Sequence, residues 1–176
     1  MSRGLPRRRL MLAAAAAAGL AGTGWAGRKL WQRLHPPVYP ERVVFRLTDG
    51  RRTRVADYAG RPLLVNFWQS TCRPCLEEMP ELARLYRELS PRGLEIIGVV
   101  VWYDRFDKAL ETARRLDLPY PVALDPMRRV SAALAHEGYT PFSVLIGPEG
   151  EVRHRWDGKI PLDDLRRTLE PMLAAP

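Results

Sequence analysis

The chain has 176 residues, 46% of them hydrophobic and 27% charged, with two cysteines. That is enough for one ordinary domain, and it excludes both a disordered chain and a miniprotein held by a disulfide framework. The formal net charge of +8 suggests a nucleic-acid partner until the charges are located. Residues 1–36 carry Arg3, Arg7, Arg8, Arg9, Arg28, Lys29 and Arg33 and no acid, leaving 21 basic against 20 acidic side chains in the rest. A nearly neutral globular part has no built-in attraction for phosphate backbones, so no nucleic-acid partner is expected.

Met1 to Arg9 reads as a basic leader segment, followed by an apolar run from Leu10 to Ala26 that is 17 residues long, near the lower limit for crossing a bilayer. Two readings compete. Gly24-Trp25-Ala26 offers the small residues a signal peptidase reads, so the run can be a cleaved secretory signal. Kept in place, it is an N-terminal membrane anchor, with the arginines retained on the cytoplasmic side and Trp25 and Trp31 at the interfaces. Either way residues 1–36 are an export or anchoring segment, and the domain faces an extracytoplasmic, oxidising space. The prolines at 36, 37 and 40 disfavour helix and sheet, so residues 37–42 read as an extended linker to a domain over 43–176.

Val43 to Leu47 and Arg52 to Val55 read as a hairpin turned at Asp49-Gly50. Leu63 to Trp68 is a nearly continuous apolar strand of the kind buried on both faces. A helical stripe from Arg73 to Leu89 follows, with Pro80 expected to kink it. Glu95 to Val101 is a second buried strand. Asp104 is placed to cap a helix from Arg105 to Leu116. Tyr120 to Leu124 is a third strand, and Asp125-Pro126 reads as the start of a helix running to about Glu137, stopped by Gly138. Phe142 to Ile146 and Val152 to Trp156 form a closing hairpin around Gly147-Pro148-Glu149-Gly150, and Pro161 to Leu173 is an amphipathic helix. The alternation predicts an α/β fold: a mixed central sheet flanked by helices, with an N-terminal β-hairpin and a central αβ insertion.

Chemistry concentrates at Cys72-Arg73-Pro74-Cys75, where a buried strand ends and a helix begins. Two intervening residues put both sulfurs one turn apart on the same helix face, within disulfide reach. The first sulfur lies at the helix N-terminus, where unpaired N–H groups favour thiolate, the form that attacks disulfides. Arg73 adds a positive charge beside it. Cys72 is therefore expected to be the attacking, partly exposed thiol and Cys75 the buried resolving one. A zinc site would need about four ligands, and His35, His136 and His154 show no ligand spacing; no metal is expected. A purely structural disulfide over so short a loop would restrain the unfolded chain very little. A peroxidase with one peroxidatic cysteine fits less well, because Cys75 is so close a partner. His136 and His154 are read as surface or helix-end residues, and the pairs Arg114-Arg115, Arg128-Arg129 and Arg166-Arg167 as solvated helix faces.

Leu64-Val65-Asn66-Phe67-Trp68, the Cys-Arg-Pro-Cys motif and Glu78-Met79-Pro80 together resemble the ResA/TlpA branch of the thioredoxin fold. Phe45-Arg46-Leu47, Asp57-Tyr58-Ala59-Gly60-Arg61-Pro62, Thr140-Pro141 and the Gly-Pro-Glu-Gly hairpin extend the resemblance over residues 43–160. It implies a thioredoxin-like fold and a membrane-anchored or exported thiol–disulfide oxidoreductase that needs no cofactor beyond a redox-active Cys72–Cys75 disulfide. It also implies that Pro141 is a cis-proline opposite the cysteines, and that the Thr140 backbone pairs with a substrate segment. Glu78 is implied to tune the thiols or relay a proton, taking over from the buried aspartate that thioredoxins carry where this chain has Asn66. Trp68 is expected to pack beside the disulfide, and Trp68, Thr140 and Arg73 to border the substrate. Three positions depart from the pattern: Thr71 replaces a usual tryptophan, Phe142 a frequent glutamate, and Asp104 is the nearest match to an acidic residue in the insertion.

The function expected is reduction of protein disulfides on envelope proteins, apocytochrome c among them, with electrons from a membrane donor. The alternatives are a Cu(I)-binding assembly factor, for which thiolates are suitable soft ligands, and an oxidase or isomerase on the same fold, which differs only in potential.

Overall fold

The computed structural model describes residues 40–173. The expected export or anchoring segment and the first half of the linker lie outside the described residues. Among the described residues, no helix is long and apolar enough to cross a membrane. The linker's last residues, Pro40–Arg42, form a single 3₁₀ turn with Pro40 buried.

Seven strands make one mixed sheet in the order β2-β1-β5-β4-β3-β6-β7. The N-terminal hairpin is β1 (Val44–Leu47) with β2 (Arg52–Arg54), and β1 lies antiparallel to β5 (Val122–Leu124). The centre is parallel: β3 (Leu63–Trp68) beside β4 (Glu95–Val100), and β4 beside β5. β6 (Phe142–Ile146) returns antiparallel to β3, and β7 (Val152–Asp157) pairs with β6 through a bulge at Leu145/Ile146.

All six residues of β3 are buried, as its unbroken apolar run requires of a strand covered on both faces. Leu64, Asn66 and Trp68 point to one face, where α1 (Arg73–Leu89), α2 (Phe106–Arg115) and α4 (Leu162–Leu169) pack. Val65 and Phe67 point to the other, into a core with Phe45, Val99, Val144 and Leu134. Helix α1 runs through Pro80 without ending, although that residue brings no N–H to the ladder.

Three expectations are corrected. The helix expected from Pro126 to Glu137 is α3 (Arg129–Ala133), five residues long. Arg128, its N-cap, and Ala135, just past its C-cap, both have left-handed backbones, φ 54° and 55°, which the interior of an α-helix cannot hold, so the helix is confined between them. Asp125 still caps it, but across a longer turn: its carboxylate accepts from the N–H groups of Val130 (3.1 Å) and Ser131 (2.8 Å). Arg128 is exposed, as expected, but it precedes that helix instead of lying on it, and its guanidinium also stands 4.1 Å from the centre of the Trp102 ring. The last helix stops at Leu169, and Glu170–Met172 continue as a 3₁₀ turn where Pro171 cannot donate.

Candidate active site

Strand β3 delivers its C-terminal end to a short loop, and α1 starts immediately after it. Cys72 is the N-cap of α1, with extended backbone (φ −80°, ψ 100°), and the N–H of Cys75 donates to its sulfur at 3.2 Å. A helix can begin here because Pro74 sits in the first turn, where an N–H would have no partner anyway. Cys72 and Cys75 are joined in a disulfide, S–S 2.07 Å and Cα–Cα 5.3 Å. The two residues are not equally covered: Cys72 is 6% exposed and Cys75 1%. The expectation of a partly exposed Cys72 is corrected: with the disulfide formed, the residue is buried in a cluster with Trp68 and Met79, though less completely than Cys75.

Around the pair lies an apolar shell of Trp68, Met79, Val100, Ala109 and Val122. Trp68 is fully buried beside the disulfide, and its ring crosses β4 at Gly98. A Cβ on Gly98 would stand 3.1 Å from Trp68 Nε1 and 3.3 Å from Tyr120 Cε2, so the glycine is what lets the ring lie there. Arg73 is 90% exposed and donates to Glu77 Oε1 at 3.0 Å. Its charge is therefore paired with a carboxylate at the surface.

Glu78, three residues beyond Cys75, is fully buried. Its two oxygens are fixed from different elements: Asn66 Nδ2 on β3 donates to Oε1 at 2.8 Å, and the Ile160 N–H donates to Oε2 at 2.5 Å. Asn66 also donates to Ser143 Oγ on β6 at 2.9 Å. Burial pushes the Glu78 carboxyl up to about 7, against the two hydrogen bonds and Lys159, which favour its charged form. A carboxyl with that value exchanges protons near neutral pH.

Pro141 precedes β6, and the Thr140–Pro141 bond is cis. Because Phe142 pairs with Phe67, this segment stands at the same end of the sheet as the cysteines. Among the described residues no main-chain group takes the N–H or C=O of Thr140.

Two features had no local signal in the sequence. Asp104 does not cap α2, whose N-cap is Arg105. Its carboxylate accepts from the Ser70 N–H (2.6 Å), the Ser70 hydroxyl (2.8 Å) and the Arg105 N–H (2.8 Å), tying the insertion to the loop before Cys72. His136 is not at the surface: it is 3% exposed and stacks on Phe67 and Phe142. Both depend on contacts between distant segments, or on a short helix that periodicity overextends. His154 is exposed on β7, as expected.

Residues 41–155 match the AhpC/TSA family. The chain is 34% identical over 128 residues to the thiol-disulfide oxidoreductase ResA of Geobacillus kaustophilus, covering 72% of each chain. Among solved structures it is similar to a thiol:disulfide interchange protein of the thioredoxin family from Chlorobium tepidum (TM-score 0.68, 21% identity, 78% of this chain and 97% of that one). StoA from Bacillus subtilis is similar too (TM-score 0.65, 20% identity, 76% of this chain and all of that one).

Proposed function

The chain belongs to the AhpC/TSA family and is a thiol–disulfide oxidoreductase of the ResA type on a thioredoxin-like fold, and from that premise we propose that it reduces disulfides of envelope proteins on the extracytoplasmic side of a membrane. The observation that carries this reading is the asymmetric pair at the start of α1, with Cys72 as N-cap and less covered than Cys75.

In the dithiol form, the Cys72 thiolate attacks one sulfur of a target disulfide. The target's S–S bond breaks, a Cys72–target mixed disulfide forms, and the departing target sulfur takes a proton. Cys75, losing its proton toward Glu78, then attacks Cys72 Sγ. This expels the second target sulfur as a thiol and leaves the Cys72–Cys75 disulfide; two electrons have passed to the target. The Thr140 main chain pairs with an extended target segment, with Pro141 behind it, while Trp68 backs the disulfide and Arg73 borders the target. No further cofactor is needed, and a membrane electron donor returns the enzyme to the dithiol. The basic, apolar segment 1–36 supports export or anchoring, with 37–42 as a spacer and 43–176 as the working domain. The Cys-Xaa-Pro-Cys pattern and the ResA relationship support the reducing direction, with apocytochrome c among the targets.

Cys75→Ser in the full-length chain tests this directly. It removes the resolving thiol, so mixed disulfides between Cys72 and envelope proteins should accumulate and be released by dithiothreitol. If no adducts form, the reading is wrong.

A further inference from the structure

His136 is a buried titratable side chain that the exchange scheme does not use. It lies on the sheet face away from α1, its ring stacked on Phe67 at 4.6 Å and Phe142 at 5.1 Å and edge-on to Trp102 at 5.8 Å. Those rings offer no hydrogen-bond acceptor in the ring plane, so the two nitrogens fix its rotation. Nε2 stands 2.6 Å from the carbonyl oxygen of Tyr139. A carbonyl only accepts, so Nε2 carries a proton and donates it. Nδ1 faces the Ser131 hydroxyl at 3.4 Å, and that hydroxyl donates to Asp125 Oδ2 at 2.7 Å. Burial, the largest influence, holds its pKa below the ordinary value, against the Tyr139 carbonyl and Asp125, which favour a charged imidazole, and with Arg128, which disfavours it.

The carbonyl that His136 holds belongs to the residue before Thr140. The same segment is tied on its other side, where Tyr139 Oη donates to Asp157 Oδ1 at 2.6 Å and the Gly158 N–H donates to the Pro141 carbonyl at 2.9 Å. Gly138 completes the seat: it has φ +107°, and a Cβ there would come within 3.2 Å of the Trp102 ring. The main chain of Thr140 is thus held at both flanks and left open between them.

We propose that His136 is a positioning residue for disulfide exchange: by donating to the Tyr139 carbonyl it sets the placement of the Thr140 main chain, on which an extended polypeptide target pairs beside Cys72. The inference rests on the function proposed above. It separates two substrate classes, since a polypeptide disulfide uses that main chain and a small disulfide does not.

The test mixes pre-reduced full-length protein with insulin or with DTNB and follows single-turnover rates against concentration. In His136→Leu the half-saturating insulin concentration should rise about tenfold, the effect of one lost buried hydrogen bond, while the maximal rate and the DTNB rate change less than about twofold. His136→Gln, whose side-chain amide can donate to the same carbonyl, should recover most of the loss. Equal defects in the Leu and Gln variants, or parallel losses with insulin and DTNB, would reduce His136 to a packing residue and overturn the proposal. No defect in either variant overturns it as well. A wild-type protein that reduces DTNB but never insulin sinks the proposed function, and this inference with it. Should His136→Leu fail to fold, the wild-type protein still decides: nuclear magnetic resonance should find a slowly exchanging Nε2 proton on His136, and the opposite tautomer contradicts the proposal.

Discussion

Glu78 shows how one side chain draws its chemistry from three separate segments. Its place on α1, one turn past Cys75, was legible from spacing alone, because residues three apart share a helix face. Its partners were not: Asn66 precedes it by a strand and a loop, and Ile160 follows it by 82 positions. The pKa of about 7 arises because burial outweighs those hydrogen bonds. On the proposed mechanism, the carboxylate takes the Cys75 proton above that pH and does not below it. Decay of a preformed Cys72–target mixed disulfide should therefore speed up through an inflection near pH 7 in the wild-type protein. In Glu78→Gln the inflection should vanish, and decay at neutral pH should slow about 10²-fold, the lower range for a positioned general base. Stopped-flow measurement across pH checks both; an unchanged inflection in the variant removes Glu78 from the proton path.

Elements were readable where the pattern was strong and local. The bounds of β3, α1 and β6 follow from their apolar runs and stripe, and those three elements carry Cys72, Cys75, Glu78 and the strand after Pro141. The third helix was overextended because Asp-Pro looks like a helix start, whereas the capping carboxylate of Asp125 reaches five and six residues ahead around a left-handed Arg128. The fit of β4 under Trp68 was likewise invisible, since nothing in Glu95–Val100 reveals which neighbour Gly98 must admit. Gly98→Ala would drive a methyl group to 3.1 Å from Trp68 Nε1, with Tyr120 closing the other side, so neither ring can yield cheaply. The expected cost is about 1–3 kcal/mol of stability, as for other overpacked cores. Urea unfolding measures it, and tryptophan fluorescence should report displacement of Trp68 beside the disulfide. A variant as stable as the wild type with an unmoved spectrum would mean the contact is slack.

At the scale of the molecule, two buried titratable groups act on stability in opposite directions, one on each face of the sheet. The folded pKa of Glu78 is raised, so its contribution is fully present below about pH 4.5 and is lost as pH rises through about 7; the shift corresponds to roughly 3 kcal/mol. His136 is lowered, so its contribution is present above the ordinary histidine value of about 6.5 and is lost as pH falls through the folded value. The lowered surface carboxylates, such as Asp49, Asp57 and Glu88, finish titrating at lower pH. Between about pH 5 and 7.5 the two buried groups therefore dominate, and their slopes partly cancel in the wild-type protein. Removing one should unmask the other. In Glu78→Gln, denaturant-derived stability should rise with pH over this window; in His136→Gln it should fall by up to roughly 3 kcal/mol. Two variants that both keep the wild-type profile would show that neither group is desolvated in the folded state. On the proposed function the opposed slopes have a consequence: the carboxyl proposed to serve the resolving thiol becomes charged as pH rises through about 7, at the expense of stability, in the range where the neutral imidazole proposed to position the substrate segment contributes most.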